Sequence, residues 1–340
     1  MTKTFGAALV GCGSISGVHL KSFAGLELAE LKVVVDTDEE LAKRTAQQYG
    51  CDYLTDYRQL FHREDVQVVH LCTPHHLHAP LAVELLAAGK HVLTEKPMAQ
   101  NKQAAASLLQ AAAQNPNVQL GVIFQNRYNP ASQRIKQFLD SGELGKLICM
   151  KGLVTWYRNE NYYITPWKGK WETEGGGVLI NQSIHTLDLL QWFGGEIASI
   201  KGSISNDSLE GVIEVEDTAH ALIQFKSGVR AIFYATNAYL QNSPVEVELV
   251  FEQGTLYMRG DYLYLRKGDQ ETMLCEPRVN DLGEKSYWGV SHAVQIRDFY
   301  EHLAAGKPFW IDAREGVKAL TMVLDIYESS RAQKAVPFLV

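Results

Sequence analysis

Three stretches of this 340-residue sequence bring together residue types able to do chemistry. At Val92-Leu93-Thr94-Glu95-Lys96-Pro97-Met98 an apolar run ends on a carboxylate, an ammonium and a proline. A lysine at the end of a strand, followed by a proline that restricts the backbone, is a positioned cation. Such a cation can stabilise negative charge developing on an oxygen. Around His185, the residues Asn181 and Asp188 complete a spacing of i, i+4 and i+7, one line along a helix. A histidine flanked by an amide and a carboxylate can have its tautomer fixed and serve as a general acid or base. The third stretch is Gly11-Cys12-Gly13-Ser14-Ile15-Ser16, between an apolar run and a helical pattern. Gly11 permits a tight turn, and Gly13 lets the backbone approach a pyrophosphate at a helix N-terminus. Ser16 stands where the fingerprint has its third glycine, and is still small enough for close helix–strand packing. Taken singly these are ordinary features: a solvated loop lysine, a core histidine, an incidental glycine turn. Context decides among the readings.

The context begins with an alternation. Apolar strands are predicted at Phe5–Val10, Leu31–Val35, Val66–Cys72, Lys90–Thr94 and Val118–Phe124. Helices fall between them, from Ser14 through Phe23, over Asp38–Tyr49 with Asp38 as cap, from His75 through Ala88, and over Gln100–Gln114. Strands alternating with helices predict a doubly wound parallel sheet over residues 1–124, a Rossmann-type dinucleotide domain. The glycine turn follows its first strand, and Asp36 ends its second, where the fingerprint places an acidic residue. That carboxylate suits ribose hydroxyls and repels a 2′-phosphate, which favours NAD over NADP. Arg44, one to two helical turns further on, is the arginine that argues the other way.

Residues 125–340 have a different rhythm, and form the second, α/β domain of this reading. A helix is predicted over Asn129–Leu139 and a strand over Leu147–Trp156. The loop from Tyr162 to Trp171 mixes aromatic and basic residues. Its Tyr163 and Trp167 can stack on a sugar ring, or pack the loop against a domain or subunit interface. Gly175-Gly176-Gly177 opens a helix predicted over Val178–Phe193, which carries Asn181, His185 and Asp188. Extended segments follow at Ile197–Ile204, Thr218–Phe225, Val229–Ala235, Val245–Phe251 and Thr255–Met258, an open and mostly antiparallel sheet. Helices over Ser291–Ala304 and Ala313–Ser330 close the chain. The helices are too few to cover both faces of that sheet, so one face is expected to make a homodimer or homotetramer. Arg127 is a candidate ligand for a substrate carboxylate or phosphate, or one half of a surface ion pair.

Composition narrows the partners. A net charge of −7 and the lack of any long basic run make nucleic acid a poor fit. No apolar stretch is long enough to span a bilayer, and the chain enters a strand within its first residues, with no signal peptide pattern. The 5 cysteines are odd in number and form no CxxC pair. That is the pattern of reduced thiols in a cytoplasmic enzyme, without a disulfide framework or a metal site.

Four segments together resemble the Gfo/Idh/MocA oxidoreductases, the family of glucose–fructose oxidoreductase and inositol dehydrogenase. They are Gly11–His19, Cys72–His78, Glu95–Pro97 and Gly175–Asp188, in that family's order and spacing. The resemblance implies a dinucleotide held by Gly11, Gly13, Ser14, Ile15 and Asp36, with the nicotinamide at Thr73, Pro74, His78, Glu95 and Lys96. It also implies a cis Lys96–Pro97 bond, Lys96 at the substrate hydroxyl and His185 as acid or base. Family members often carry aspartate where this sequence has Asn181, which weakens a carboxylate–histidine relay and leaves Asp188 to take part of that role. The implied activity is hydride transfer between nicotinamide and a secondary hydroxyl of a sugar, inositol or sugar derivative, in carbohydrate metabolism. Two alternatives remain at this point: glycoside cleavage by transient oxidation and elimination, and a non-enzymatic dinucleotide sensor.

Overall fold

The computed structural model describes residues 4–276 and 291–339. Contacts divide them into two compact units. One holds the chain up to Gln125 together with Ser291–Val317; the other holds Asn126 to Glu276 and the chain from Lys318 on.

In the first unit β1 (Phe5–Val10) is buried at every position, as a central strand covered on both faces must be. It is followed by α1 (Ser16–Ser22), β2 (Ala29–Val35), α2 (Glu39–Tyr49) and the short β3 (Asp52–Leu54). Then come β4 (Val68–Leu71), α3 (His75–Ala87), β5 (His91–Thr94), α4 (Lys102–Gln114) and β6 (Leu120–Val122). The Asp38 side chain caps α2 by accepting from Leu41 N at 3.1 Å. All strand pairs are parallel, in the order β3-β2-β1-β4-β5-β6. The order reverses between β1 and β4, the point at which such sheets bind ligands beyond their carboxyl ends. Gly11, Asp36, Thr73 and Lys96 lie just past the ends of β1, β2, β4 and β5, so the topology alone gathers them on one edge.

The second unit is built on a nine-stranded sheet in the order β14-β13-β12-β11-β7-β10-β9-β8-β15. Its elements are α5 (Pro130–Ser141), β7 (Leu147–Thr155), α6 (Ile184–Gly194), β8 (Ile197–Ser205), β9 (Thr218–Phe225), β10 (Arg230–Thr236), β11 (Glu246–Phe251), β12 (Gly254–Arg259), β13 (Tyr262–Lys267) and β14 (Gln270–Cys275). Only β7 and β10 pair in parallel; every other neighbour is antiparallel. Along β10 exposed and buried residues alternate from Arg230 to Ala235. Helix α6 lies against β7 across Gly152, where a Cβ would sit 3.0 Å from a Leu190 methyl and 3.2 Å from Thr186 Cγ2.

The chain ends with α7 (His292–Ala304), α8 (Ala313–Ala332) and β15 (Val336–Pro337). The sequence reading assigns Ser291–Val317 to the second domain, but these residues pack with the first unit. The reason lies in an edge strand. Gln295 on α7 accepts from Phe124 N at 3.0 Å and donates to Val122 O at 2.8 Å, and Ile311 O accepts from Val122 N at 3.0 Å. The returning segment thus satisfies backbone groups that β6 would otherwise leave open.

Candidate active site

The edge of the first sheet is shaped by two glycines in different ways. At Gly11, with φ +94°, a Cβ would lie 2.7 Å from the Cys72 carbonyl oxygen, so packing and backbone both demand glycine. Gly13 is exposed, and a Cβ there would meet nothing within 4 Å. Packing does not require glycine at 13; the open space above it is what a closely approaching ligand uses. Ser16 is buried and its hydroxyl donates to Gly13 O at 2.6 Å, which absorbs the missing third glycine. Asp36 is locked by two backbone donors, Cys12 N at 2.7 Å and Asp38 N at 2.9 Å. Ser14 is exposed, Ile15 packs on the core beside Leu9 and Val34, and Thr73 and Pro74 are half-buried. The Thr73 hydroxyl oxygen is buried with no hydrogen-bond partner among the described residues. A glycine cradle, a fixed carboxylate and an orphaned hydroxyl fit a dinucleotide.

Lys96 is half-buried, and the Lys96–Pro97 bond is cis, the geometry the resemblance implies. Its neighbour Glu95 is expected at the cofactor, but that side chain turns inward. Glu95 Oε1 pairs with His19 Nε2 at 3.0 Å and His292 Nε2 at 3.5 Å, while Oε2 accepts from Lys96 N at 3.2 Å. Burial opposes ionisation of Glu95, yet the hydrogen bonds from His19 and His292 outweigh it and hold the carboxyl well below the usual range. The chain continues from His19 Nδ1 to His70 Nδ1 at 2.9 Å and from His70 Nε2 to Tyr300 OH at 2.9 Å. All of these side chains are buried. His78, also expected at the cofactor, is buried with its ring nitrogens 2.7 Å from Pro97 O and 2.7 Å from Thr73 O. The correction is the same for both: Glu95 and His78 brace the backbone of Lys96-Pro97 from within. Sequence reasoning sees His19 in its motif, but His70 and Tyr300 arrive on β4 and α7.

In the second unit the helix predicted over Val178–Phe193 begins only at Ile184. Glu216 is the cause. Its carboxylate accepts from Gly177 N and Leu179 N, both at 2.9 Å, and from Tyr327 OH at 2.9 Å. Ser183 Oγ donates to Val178 O at 2.8 Å, and the stretch folds as turns. A Cβ on Gly177 would lie 1.9 Å from Glu216 O, so this contact needs glycine. Asn181 therefore sits in a turn ahead of α6, and His185 lies in the helix's first turn; both are half-buried. Asp188 is buried. It is engaged by Arg127, with Nε to Oδ2 at 2.8 Å and Nη2 to Oδ1 at 2.7 Å, both side chains almost wholly buried. The expected role of Arg127 at substrate or surface gives way to this interior pair.

Around Asn181 is a set of neutral hydrogen-bonding groups that the sequence does not announce. Gln182 Nε2 donates to Tyr162 OH at 3.0 Å, and Asn237 Nδ2 donates to Tyr163 OH at 3.0 Å and Gln182 Oε1 at 3.1 Å. The Lys168 ammonium sits 3.5 Å from the Tyr162 ring centre and 5.9 Å from that of Trp167, so this one cation steadies both rings. Burial and the nearby Glu174 push the Tyr163 hydroxyl up, so it is neutral and able to donate.

Glu216 gives the fold a pH dependence. Burial pushes its carboxyl from 4.5 up to about 7, against the bonds it accepts. The native state then holds a proton that the unfolded chain releases, so this stability is full below pH 4.5 and is lost by about pH 7. The loss is roughly 3 kcal/mol at 1.36 kcal/mol per pKa unit. The thermal midpoint should fall across that window, and Glu216→Gln, though less stable overall, should flatten the slope. An unchanged slope in the variant contradicts the assignment.

Fold and site together define a nicotinamide-dependent oxidoreductase. Residues 5–124 match the model of the oxidoreductase family with an NAD-binding Rossmann fold, and residues 132–257 match the Gfo/Idh/MocA C-terminal domain. The chain belongs to the Gfo/Idh/MocA oxidoreductases. Levoglucosan dehydrogenase of Pseudarthrobacter phenanthrenivorans is 24% identical over 324 residues, 85% of this chain and 82% of that one. An inositol 2-dehydrogenase of Rubrobacter xylanophilus is 30% identical over 194 residues, 56% of this chain and 53% of its own. Among solved structures, the WlbA dehydrogenase of Bordetella pertussis, in complex with NADH and UDP-GlcNAcA, superposes with a TM-score of 0.88 at 28% identity over 99% of both chains.

Proposed function

We propose that this protein is an NAD-dependent dehydrogenase that oxidises a secondary hydroxyl of a sugar, an inositol or a sugar derivative. The observation that carries the reading is the cluster of Asn181, Gln182, Asn237, Tyr162 and Tyr163. Interlocked amides and phenols match a ligand studded with hydroxyls better than a charged or apolar one. Relatives named for levoglucosan and inositol, and a neighbour solved with a nucleotide sugar acid, support the same class.

When bound, the nicotinamide supplies the acceptor for hydride. The protein's part is charge, proton and position. Lys96 places an ammonium where the reacting hydroxyl gains negative charge, its backbone N–H held by Glu95. His185 takes the hydroxyl proton, and Asn181 orients the substrate. Gly11, Gly13, Ser14, Ile15 and the Thr73-Pro74 turn hold the dinucleotide, with Asp36 at its ribose.

Purified protein incubated with NAD and a panel of inositols, hexoses, anhydrosugars and uronic acids should form NADH with at least one member, and form less NADPH from NADP. Tight NAD binding with no turnover across the panel and a matching glycoside panel would sink the reading in favour of a sensor. We further propose self-association through the open sheet face, which exposes Leu222 (45%), Ile232 (56%) and Tyr234 (37%). Sedimentation should give a dimer or tetramer that Ile232→Glu dissociates; a wild-type monomer removes that proposal.

A further inference from the structure

Behind the Lys96 turn, and wholly within the first unit, four side chains join in a line. Tyr300 OH on α7 lies 2.9 Å from His70 Nε2 on β4, and His70 Nδ1 lies 2.9 Å from His19 Nδ1 on α1. His19 Nε2 lies 3.0 Å from Glu95 Oε1, and Glu95 Oε2 accepts from Lys96 N at 3.2 Å. All four side chains are buried.

Where two ring nitrogens share a hydrogen bond, one carries a proton and the other a lone pair, so the line has a direction. Suppose that His70 donates to His19. His19 Nδ1 is then bare, its proton sits on Nε2 facing the Glu95 carboxylate, and the bare His70 Nε2 receives the Tyr300 hydroxyl. Every hydrogen in the line meets an acceptor. If His19 donates instead, the His70 proton sits on Nε2 and the Tyr300 oxygen must accept it. The Tyr300 O–H then has no acceptor among the described residues, a costly orphan in a buried place. That direction also requires a protonated Glu95 or a cationic His19. Burial, with His19 alongside, lowers the His70 ring well below its usual range, so it is neutral. The bonds from His19 and His292 overcome burial and keep the Glu95 carboxyl ionised, as the first direction needs.

We propose that Tyr300, His70 and His19 form a one-way hydrogen-bond relay, with protons on His70 Nδ1 and His19 Nε2, and that both histidines are positioning residues for the Lys96 turn. Each link removes a freedom from the next. Tyr300 leaves His70 one tautomer, and His70 leaves His19 one tautomer. His19 then pins one oxygen of Glu95, which keeps the other on the Lys96 N–H. The direction follows from residues of one unit; only its consequence for turnover rests on the dehydrogenase reading of Lys96.

Two substitutions at position 19 separate the relay from simple filling of space. His19→Leu fills much of the volume, strands His70 Nδ1–H and frees Glu95 Oε1 to turn. His19→Gln carries an amide whose NH2 can donate to Glu95 and whose oxygen can accept from His70 Nδ1–H, so the direction survives.

Long-range proton–nitrogen spectra of the full chain carrying isotope-labelled histidine read which ring nitrogen holds each proton. Signals are assigned by their loss in His19→Gln and His70→Asn. His19 should be neutral and protonated at Nε2, and His70 neutral and protonated at Nδ1, the tautomer that free histidine disfavours. A doubly protonated His19, or a His70 proton on Nε2, overturns the relay. Exchange of the Lys96 amide proton should quicken by about tenfold or more in His19→Leu, and stay within about threefold of wild type in His19→Gln. With the panel substrate, kcat should fall and recover in parallel while KM for the sugar stays within about twofold. A Lys96 amide that exchanges alike in all three proteins overturns the positioning role. Should His19→Leu not fold, the wild-type tautomers and His19→Gln decide, and a Lys96 amide unprotected in His19→Gln counts against the proposal. If wild type oxidises nothing, the dehydrogenase reading has failed by itself; the tautomers and the amide exchange need no substrate, and still decide this one.

Discussion

Lys96→Met should lower kcat by about 10²–10³ while changing the affinity for NAD by no more than about twofold. Methionine keeps the length and the apolar stem of the side chain and removes only the ammonium. The backbone of residue 96 is held independently, through Glu95 Oε2 on its N–H and the His78 bridge between Pro97 O and Thr73 O, so the substitution leaves the local turn in place. Loss of the charged donor proposed for the developing oxyanion removes an interaction that matters chiefly in the transition state, so kcat falls rather than KM rising. Lys96→Arg should not rescue it, because the planar guanidinium fork does not reproduce a compact point charge. Steady-state kinetics on the best panel substrate, with NAD binding followed by protein fluorescence, checks the split. A raised KM at unchanged kcat would recast Lys96 as a binding residue.

Arg127→Met should destabilise the second unit by about 3–5 kcal/mol, the cost of leaving a buried partner charge without its cation. Asp188 is 1% exposed and both its oxygens are bound by Arg127, whose guanidinium also lies 5.5 Å from the Trp192 ring centre. Removing the arginine strips that buried carboxylate of the charge that balances it. Arg127→Met/Asp188→Leu removes both charges and should recover most of the loss, since apolar replacement of a whole buried pair is often near neutral. Because the pair ties α6 to the turn before α5, the single variant should also blunt activity through His185 on the same helix. Denaturant unfolding monitored by tryptophan fluorescence measures the stability loss, and turnover of the panel substrate measures the second effect. A single variant that loses less than about 1 kcal/mol would mean the pair is solvated, as surface bridges are.

The first sheet was legible because its signals are local. Apolar runs that end in Gly11, Asp36 and Thr73, and a cap such as Asp38, act within a few residues of themselves, and the parallel order follows from the alternation. The rest of the site depends on polar groups whose partners are remote. Arg127 and Asp188 are 61 positions apart, and the Glu216 carboxylate that holds the glycine turn out of α6 comes from 39 and 37 positions beyond its donors. A sequence offers no local mark for a buried, satisfied charge, and Arg, Glu and Asp default to the surface in any such reading. The same holds for Glu95, whose inward turn is decided by His19 and His292. Helix α7 illustrates a different gap: its periodicity shows an apolar face without showing which core that face joins. Strands β13 and β14, mostly exposed, are too polar in their outer halves to stand out from the loops around them.

Direct hydride transfer from a carbinol carbon to NAD underlies every role proposed for Lys96, Asn181 and His185. Its sharpest test is turnover of the panel's best substrate deuterated at its carbinol carbons, followed by mass analysis of the released cofactor and of the sugar product. Direct transfer predicts NADH carrying one deuteron per turnover and a keto product one deuteron lighter. Cofactor returned as NAD, with the label back on a sugar that has lost its glycosidic bond, would contradict it and establish transient oxidation with elimination instead.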